Sequence, residues 1–230
     1  MTEHHAHAQG NATAAAVARL RTNLALHHLF AACRFSARVG QVETENAGLP
    51  LGSFWDEILQ NSLGVAALAV AALESYANEM YFEGSVLMPG LNQTAAFELA
   101  DVIDSEGILR KYAIALAISS GRRLNMGIAP TQNAEALIKL RNAVVHFRPE
   151  WSDDHDKHEK LSRLLQHKFS PSSLFPNEPI FPRAWASHSF TVWAVRSAVE
   201  FIDHFHAEAG LPSVIEPFRA QLSALSANAL

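Results

Sequence analysis

The 230-residue chain holds a single cysteine, Cys33, three tyrosines, and not one lysine or arginine between residues 41 and 109. One cysteine closes no intrachain disulfide, so the scaffold is not a stapled secreted module, and a reducing, cytoplasmic setting is expected. The longest apolar run, Leu63 to Leu73, falls well short of the roughly 20 residues that span a bilayer, so no membrane partner is expected. The first ten residues, MTEHHAHAQG, show neither the basic nor the apolar region of a signal peptide. Alternating apolar runs are scarce and fixed-period repeats absent. Walker-type loops, GxGxxG, HExxH and GxSxG motifs are missing too, and no cofactor is expected.

What is present is helix-forming composition. Thirty-eight residues are alanine, which costs least to hold in a helix. The expectation is an all-α bundle with long central helices, formed by one domain over 13–230 after a flexible tail at 1–12. Helices are expected over about 13–39, ending near Gly40 with GQVETENAGLPLG as loop, and over 53–83, where Ser53 and Asp56 suit an N-terminus. The middle of the second, SLGVAALAVAALESYANEM, is apolar nearly all round and belongs at the centre. Further helices are expected over 93–104 and 106–120. Another starts after Pro130, capped by Thr131 or Asn133, and is ended by Pro149. The last three fall over 154–167, 182–209 and 213–227. SPSSLFPNEPIFP should be a loop pinned by Phe175 and Phe181.

The net charge of −5 argues against a protein that coats nucleic acid by bulk positive charge. It conceals an uneven distribution. Residues 41–109 carry eleven acidic side chains and no basic ones, whereas 110–148 carry seven basic ones against Glu135 alone. The two stretches either neutralise each other as faces of one domain or leave a local basic site for a polyanion.

At the end of the basic stretch lies LRNAVVHFRP, residues 140–149. Asn142 and His146 are four apart and share a helical face, with Arg141 reaching from about 140° round the axis. An imidazole moves protons near neutral pH and a guanidinium grips phosphate bidentately. Those two groups suffice for RNA cleavage without a metal, in which the 2′-hydroxyl attacks the adjacent phosphorus. A helix-end arginine beside a capping histidine reads equally from the same residues.

RNAVVH, residues 141–146, resembles the Arg-x4-6-His signature of the HEPN (higher eukaryotes and prokaryotes nucleotide-binding) domain family, in which a polar residue such as Asn142 follows the arginine. LESYANEMYFE, residues 73–83, looks like that family's central helix, and PRAWASHSFTVWAVRSAVEFIDHF like its closing helix. The resemblance covers about 55–208. It implies a HEPN-like helical bundle that forms a homodimer, two motif helices facing each other across a composite cleft, and often a metal-independent endoribonuclease serving as a toxin or defence effector. Others of the family only bind RNA or nucleotide, or dimerise. Carried over, Arg141 would stabilise the phosphate, His146 would act as acid or base and Asn142 would orient them, with Glu74 or Asn78 behind. One toxin group pairs with a nucleotidyltransferase antitoxin and has tyrosine two residues after the histidine. Arg148 stands there instead, which counts against that antitoxin partner and offers a further phosphate contact or a solvated helix end. A plain structural reading also remains, with Arg141 ion-paired to a carboxylate between Glu74 and Glu106.

Other groupings weigh less. His155 and His158 near Asp154 could hold a divalent ion or simply begin a polar helix, and His4, His5 and His7 could bind metal loosely; no specific metal site is expected. His204 and His206 are expected to be a solvated pair. Trp185 and Trp193 are expected in the core, and Cys33 is expected to be buried and inert.

Overall fold

The computed structural model describes residues 22–83, 93–149 and 156–225, and among these every regular element is helical. The order is α1 (Ala25–Glu45), α2 (Phe54–Glu83), α3 (Gln93–Asp104), α4 (Ile108–Ser120), α5 (Ala129–Val145), α6 (Asp156–Leu165), a π-turn (Ile180–Ala184), α7 (His188–Ala209), a 3-10 turn (Glu216–Phe218) and α8 (Arg219–Leu225). The all-α bundle expected from the composition is what forms. The proposed tail at 1–12, the first turns of a helix from 13, and His155 lie outside the described residues.

Two helices make the centre. α2 packs on α1, α3, α4, α5 and α7, and α7 packs on α1, α2, α4 and α5. Their sequences explain this. Val65, Ala66, Ala69, Val70, Leu73 and Ala77 are fully buried along α2, and Phe190, Ala194, Ala198, Phe201 and Phe205 along α7. Both helices are therefore apolar around most of their circumference, as a core helix must be. By length and composition Phe54–Phe82 could also cross a membrane; burial against five other helices accounts for that composition here. Trp185 and Trp193 are buried, and Phe175 and Phe181 pin the proline-rich loop as expected.

Polar groups tie the core helices together. The Tyr112 hydroxyl donates to the Leu73 carbonyl at 2.8 Å, Tyr81 to the Lys111 carbonyl at 2.7 Å, and Ser36 to Thr191 at 2.8 Å. Two helix starts are capped by carboxylates from neighbouring helices. Glu79 on α2 accepts from the Leu24 and Ala25 amides at 2.7 and 3.0 Å, and Glu43 on α1 accepts from the His188 amide at 2.8 Å. Each carboxylate satisfies amides that have no partner within their own helix and meets the positive end of its dipole.

Several boundaries differ from expectation, each for a tertiary reason. α1 does not stop at Gly40 but runs on to Glu45. A Cβ at Gly40 would lie 2.8 Å from the His188 ring, so the glycine serves close packing of α1 on α7 rather than helix termination. Changing Gly40 to alanine is expected to cost about 1–3 kcal/mol through overpacking. His188→Ala in the same chain should recover most of that, and a double-mutant cycle by urea unfolding measures the coupling. α5 starts at Ala129, with Pro130 inside its first turn, where a missing amide does no harm; Thr131 is fully buried rather than capping. α7 begins at His188, with Ser187 accepting from the Phe190 amide, and the chain before it forms the π-turn. The last stretch is a 3-10 turn followed by the short α8.

Cys33 is fully buried, and its thiol is pushed up to about 11 by that burial. The reactive species is the thiolate. The folded chain is therefore expected to leave Cys33 unmodified by an aromatic disulfide reagent at pH 8, with one thiol per chain titrating once denaturant is added.

His206 corrects the expectation of a solvated pair: it is 3% exposed. Its Nδ1–H donates to the Pro212 carbonyl at 2.6 Å, so Nε2 carries the lone pair that accepts the Tyr76 hydroxyl. Burial holds this imidazole below its ordinary value of 6.5, against the opposing pull of the Pro212 carbonyl and Asp203. The folded state thus takes up a proton less readily than the unfolded one. Stability is expected to be full above pH 6.5 and to fall as the pH drops below it, by up to about 1.4 kcal/mol per pH unit from this group. Comparing the pH dependence of unfolding with that of His206→Gln isolates the contribution.

Candidate functional site

α5 buries Ala134, Leu137 and Leu140 against the core, which fixes where its remaining side chains go. Arg141, next round the helix from Leu140, lies half-buried at the edge facing α2, and Asn142 is exposed. The helix closes at Val145, and His146 is its C-cap, with φ −105° and ψ 34° and its amide bonded to the Asn142 carbonyl at 2.9 Å. Pro149 therefore does not end the helix directly. The chain leaves it three residues earlier, where the Phe147 ring stacks on His158 at 5.7 Å between centroids and meets Phe181 edge-on at 6.0 Å. That aromatic contact ties the exit of α5 to α6 and the π-turn, and leaves His146 exposed between them and the last turn of α5.

Arg141 Nη2 lies 3.7 Å from Glu74 Oε2, with the two side chains 25% and 47% exposed. That separation is too long for a hydrogen bond, and at this exposure an ion pair contributes at most about 1 kcal/mol. The Arg141 Nε–H is buried and makes no hydrogen bond. The guanidinium is thus held near Glu74 by charge rather than by a hydrogen bond. Among the described residues no hydrogen bond joins Arg141 to Asn142 or His146. Asn142 and His146 lie together on the open side of α5, and Arg141 at its flank. Arg148 is exposed beyond them.

One turn along α2 from Glu74, Asn78 serves a different cation. Its Oδ1 accepts from Lys111 Nζ at 2.8 Å. Lys111 is only 2% exposed, and Nζ also lies 3.9 Å from Asp104 Oδ1. The acidic and basic stretches therefore meet along α2, which receives Arg141 from α5 at Glu74 and Lys111 from α4 at Asn78. Lys111 was not singled out by sequence; its only signal was a cation, next to Arg110, at the head of the apolar run YAIALAI. A second grouping missed in sequence is a shallow groove beside α4 rimmed by Arg110, Arg122 and Arg123, with Arg122 held by Glu208 at 3.0 Å.

His158, raised as a metal ligand, instead stacks on Phe147 and meets Phe181 edge-on. Among the described residues no three His, Cys, Asp or Glu side chains are grouped to hold a metal ion.

In comparisons with protein-family models, curated proteins and solved structures, nothing matches this chain.

Proposed function

We propose that this chain is a HEPN-type endoribonuclease that cleaves RNA without a metal ion, acting as a homodimer whose two α5 ends line one cleft, in the manner of a cytoplasmic toxin or defence effector. The observation that carries the reading is the end of α5, where Asn142 and His146 stand exposed beside the Arg141 side chain, itself 25% exposed. In this scheme the 2′-hydroxyl attacks phosphorus and the 5′-oxygen leaves. His146 moves the proton and Arg141 meets the charge that grows on the phosphoryl oxygens. Val145 and Phe147, 59% and 44% exposed, flank the histidine with apolar surface suited to a second copy.

The Glu74–Arg141 pair favours a second reading, in which Arg141 is held for structure and the motif helix only binds RNA or dimerises. The two differ on a single-stranded RNA incubated with purified protein in excess EDTA. Cleavage that persists supports the nuclease. Cleavage that chelation abolishes, or binding with no cleavage at all, refutes it.

A further inference from the structure

Much of the charge in the acidic and basic stretches is matched within the chain. Glu43 and Glu79 cap helix starts, Glu45 and Glu57 meet Arg38, Glu74 meets Arg141, and Asp104 meets Lys111. On the basic side, Lys139 pairs with Glu135 and Arg122 with Glu208. Two neighbouring helices carry charge that is not matched. Glu98 and Asp101 on α3 are exposed, as are Arg110 on α4 and Arg123 just after it. Among the described residues, none of these four side chains is ion-paired.

The surfaces that carry them are complementary in shape as well as in sign. α3 packs on α2 and turns its other side outward. Glu98, Asp101 and Val102 share that outer face at spacings of three and four, with Phe97 beside them. Phe97 and Val102 are 50% and 69% exposed, so α3 shows solvent an apolar strip edged by carboxylates. α4 buries Ile108, Lys111, Tyr112, Ala115 and Leu116, which leaves Arg110, Ala113 and Ala117 on its outer face, again three and four apart. Gly121 closes α4 in the left-handed region, and Arg122, Arg123 and Leu124 form the second wall of a groove of about 460 Å³. The α4 side of that groove is lined with methyl groups, so a helix can approach α4 closely, and the arginines stand along its rim. Exposed Ile118 continues its apolar surface. An occupant must bring negative charge and hydrocarbon together. A nucleic-acid backbone brings only the first, whereas the outer face of α3 brings both.

We propose that two copies of this chain associate here, α3 of each lying in the α4 groove of the other. Glu98 and Asp101 then face Arg110 and Arg123, and Phe97 and Val102 cover Ala113, Ala117 and Ile118. Only residues 105–107 join α3 to α4, so both halves of the contact are neighbours on one chain and a single two-fold axis forms it twice. This surface is distinct from the α5 ends, and the argument does not depend on their reading.

Sedimentation of the full chain tests the proposal with two double variants at exposed positions. Arg110→Glu with Arg123→Glu makes both surfaces acidic, and Glu98→Lys with Asp101→Lys makes both basic. Each alone is expected to sediment at about half the wild-type mass at equal concentration, whatever the α5 ends do, because only this contact is lost. Mixed in equal amounts, the two should regain the wild-type mass, since every acidic face then meets a basic one. Raising sodium chloride from about 0.05 M to about 0.5 M should move the wild-type mass toward half, because exposed charge pairs are screened. That arm uses the unaltered chain and holds even where a variant fails to fold. A wild type no heavier than the folded variants, a mass unmoved by salt, or a mixture that stays at the variants' mass would overturn the proposal. The first of these, together with poly(U) binding lost in the arginine variant, would give the groove to a nucleic-acid backbone instead.

Discussion

Replacing His146 by alanine is expected to lower metal-free RNA cleavage by about 10²–10⁴-fold, the range that one positioned acid–base group supplies. The residue closes α5 through its backbone amide and its side chain is exposed, so removing that side chain empties no part of the core and should leave the melting temperature unchanged. Arg141→Ala is expected to cost a further class of effect, about 10²–10³-fold, because it removes the group placed to meet charge that develops in the transition state. The second substitution also frees Glu74 from its cation, a change worth at most about 1 kcal/mol of stability at this exposure. RNA affinity separates the two roles. His146→Ala should bind a non-cleavable RNA as wild type does, whereas Arg141→Ala should bind it more weakly. If both variants cleave at the wild-type rate, neither residue acts in the reaction.

The largest loss of stability is expected at Tyr112. Its ring is fully buried and packs edge-on against Phe201 and Phe205, with centroids 4.8 and 5.1 Å away. Its hydroxyl reaches across to the Leu73 carbonyl on α2. Tyr112→Ala removes the aromatic contacts and leaves a cavity where α2, α4 and α7 meet, for about 3–5 kcal/mol. In a chain of this size that lowers the melting temperature by roughly 6–20 °C. Tyr112→Phe keeps the ring and loses only the hydroxyl. The Leu73 carbonyl lies in mid-helix and retains its backbone donor, so that variant should lose about 0.5–1.5 kcal/mol. Equal losses in the two variants would mean that the hydrogen bond, not the packing, fastens α4 to the centre.

What could be read in sequence was what local patterning encodes. The nearly all-round apolar stretch SLGVAALAVAALESYANEM, residues 62–80, put α2 at the centre, and the alanine-rich, glycine-poor segments gave helices close to those that form. Gly40 misled because the rule that glycine ends helices sees only neighbours in sequence. The ring that makes a side chain impossible there belongs to His188, far along the chain. His206 misled for a related reason, since the partners that make burying an imidazole tolerable, Tyr76 and Pro212, come from another helix and from the loop after its own. In sequence, Arg141 reads as a phosphate ligand or as an ion pair with a carboxylate between Glu74 and Glu106. The structure pairs it with Glu74 and leaves its Nε–H unused. Asn78, which the family resemblance put with Glu74 behind the motif, turns out to hold Lys111. Which cation each would receive depended on how α4 and α5 lie across α2, which the sequence of α2 does not encode.

Analysis of the product ends tests the central claim most directly. The purified chain in EDTA is given two oligonucleotides of one sequence, one all ribose and one carrying 2′-O-methyl at every position. Attack by the 2′-hydroxyl predicts that only the ribose strand is cut and that its fragments end in 2′,3′-cyclic phosphate. A ribose strand left intact, cleavage of the methylated strand, or fragments ending in 3′-hydroxyl would contradict the account.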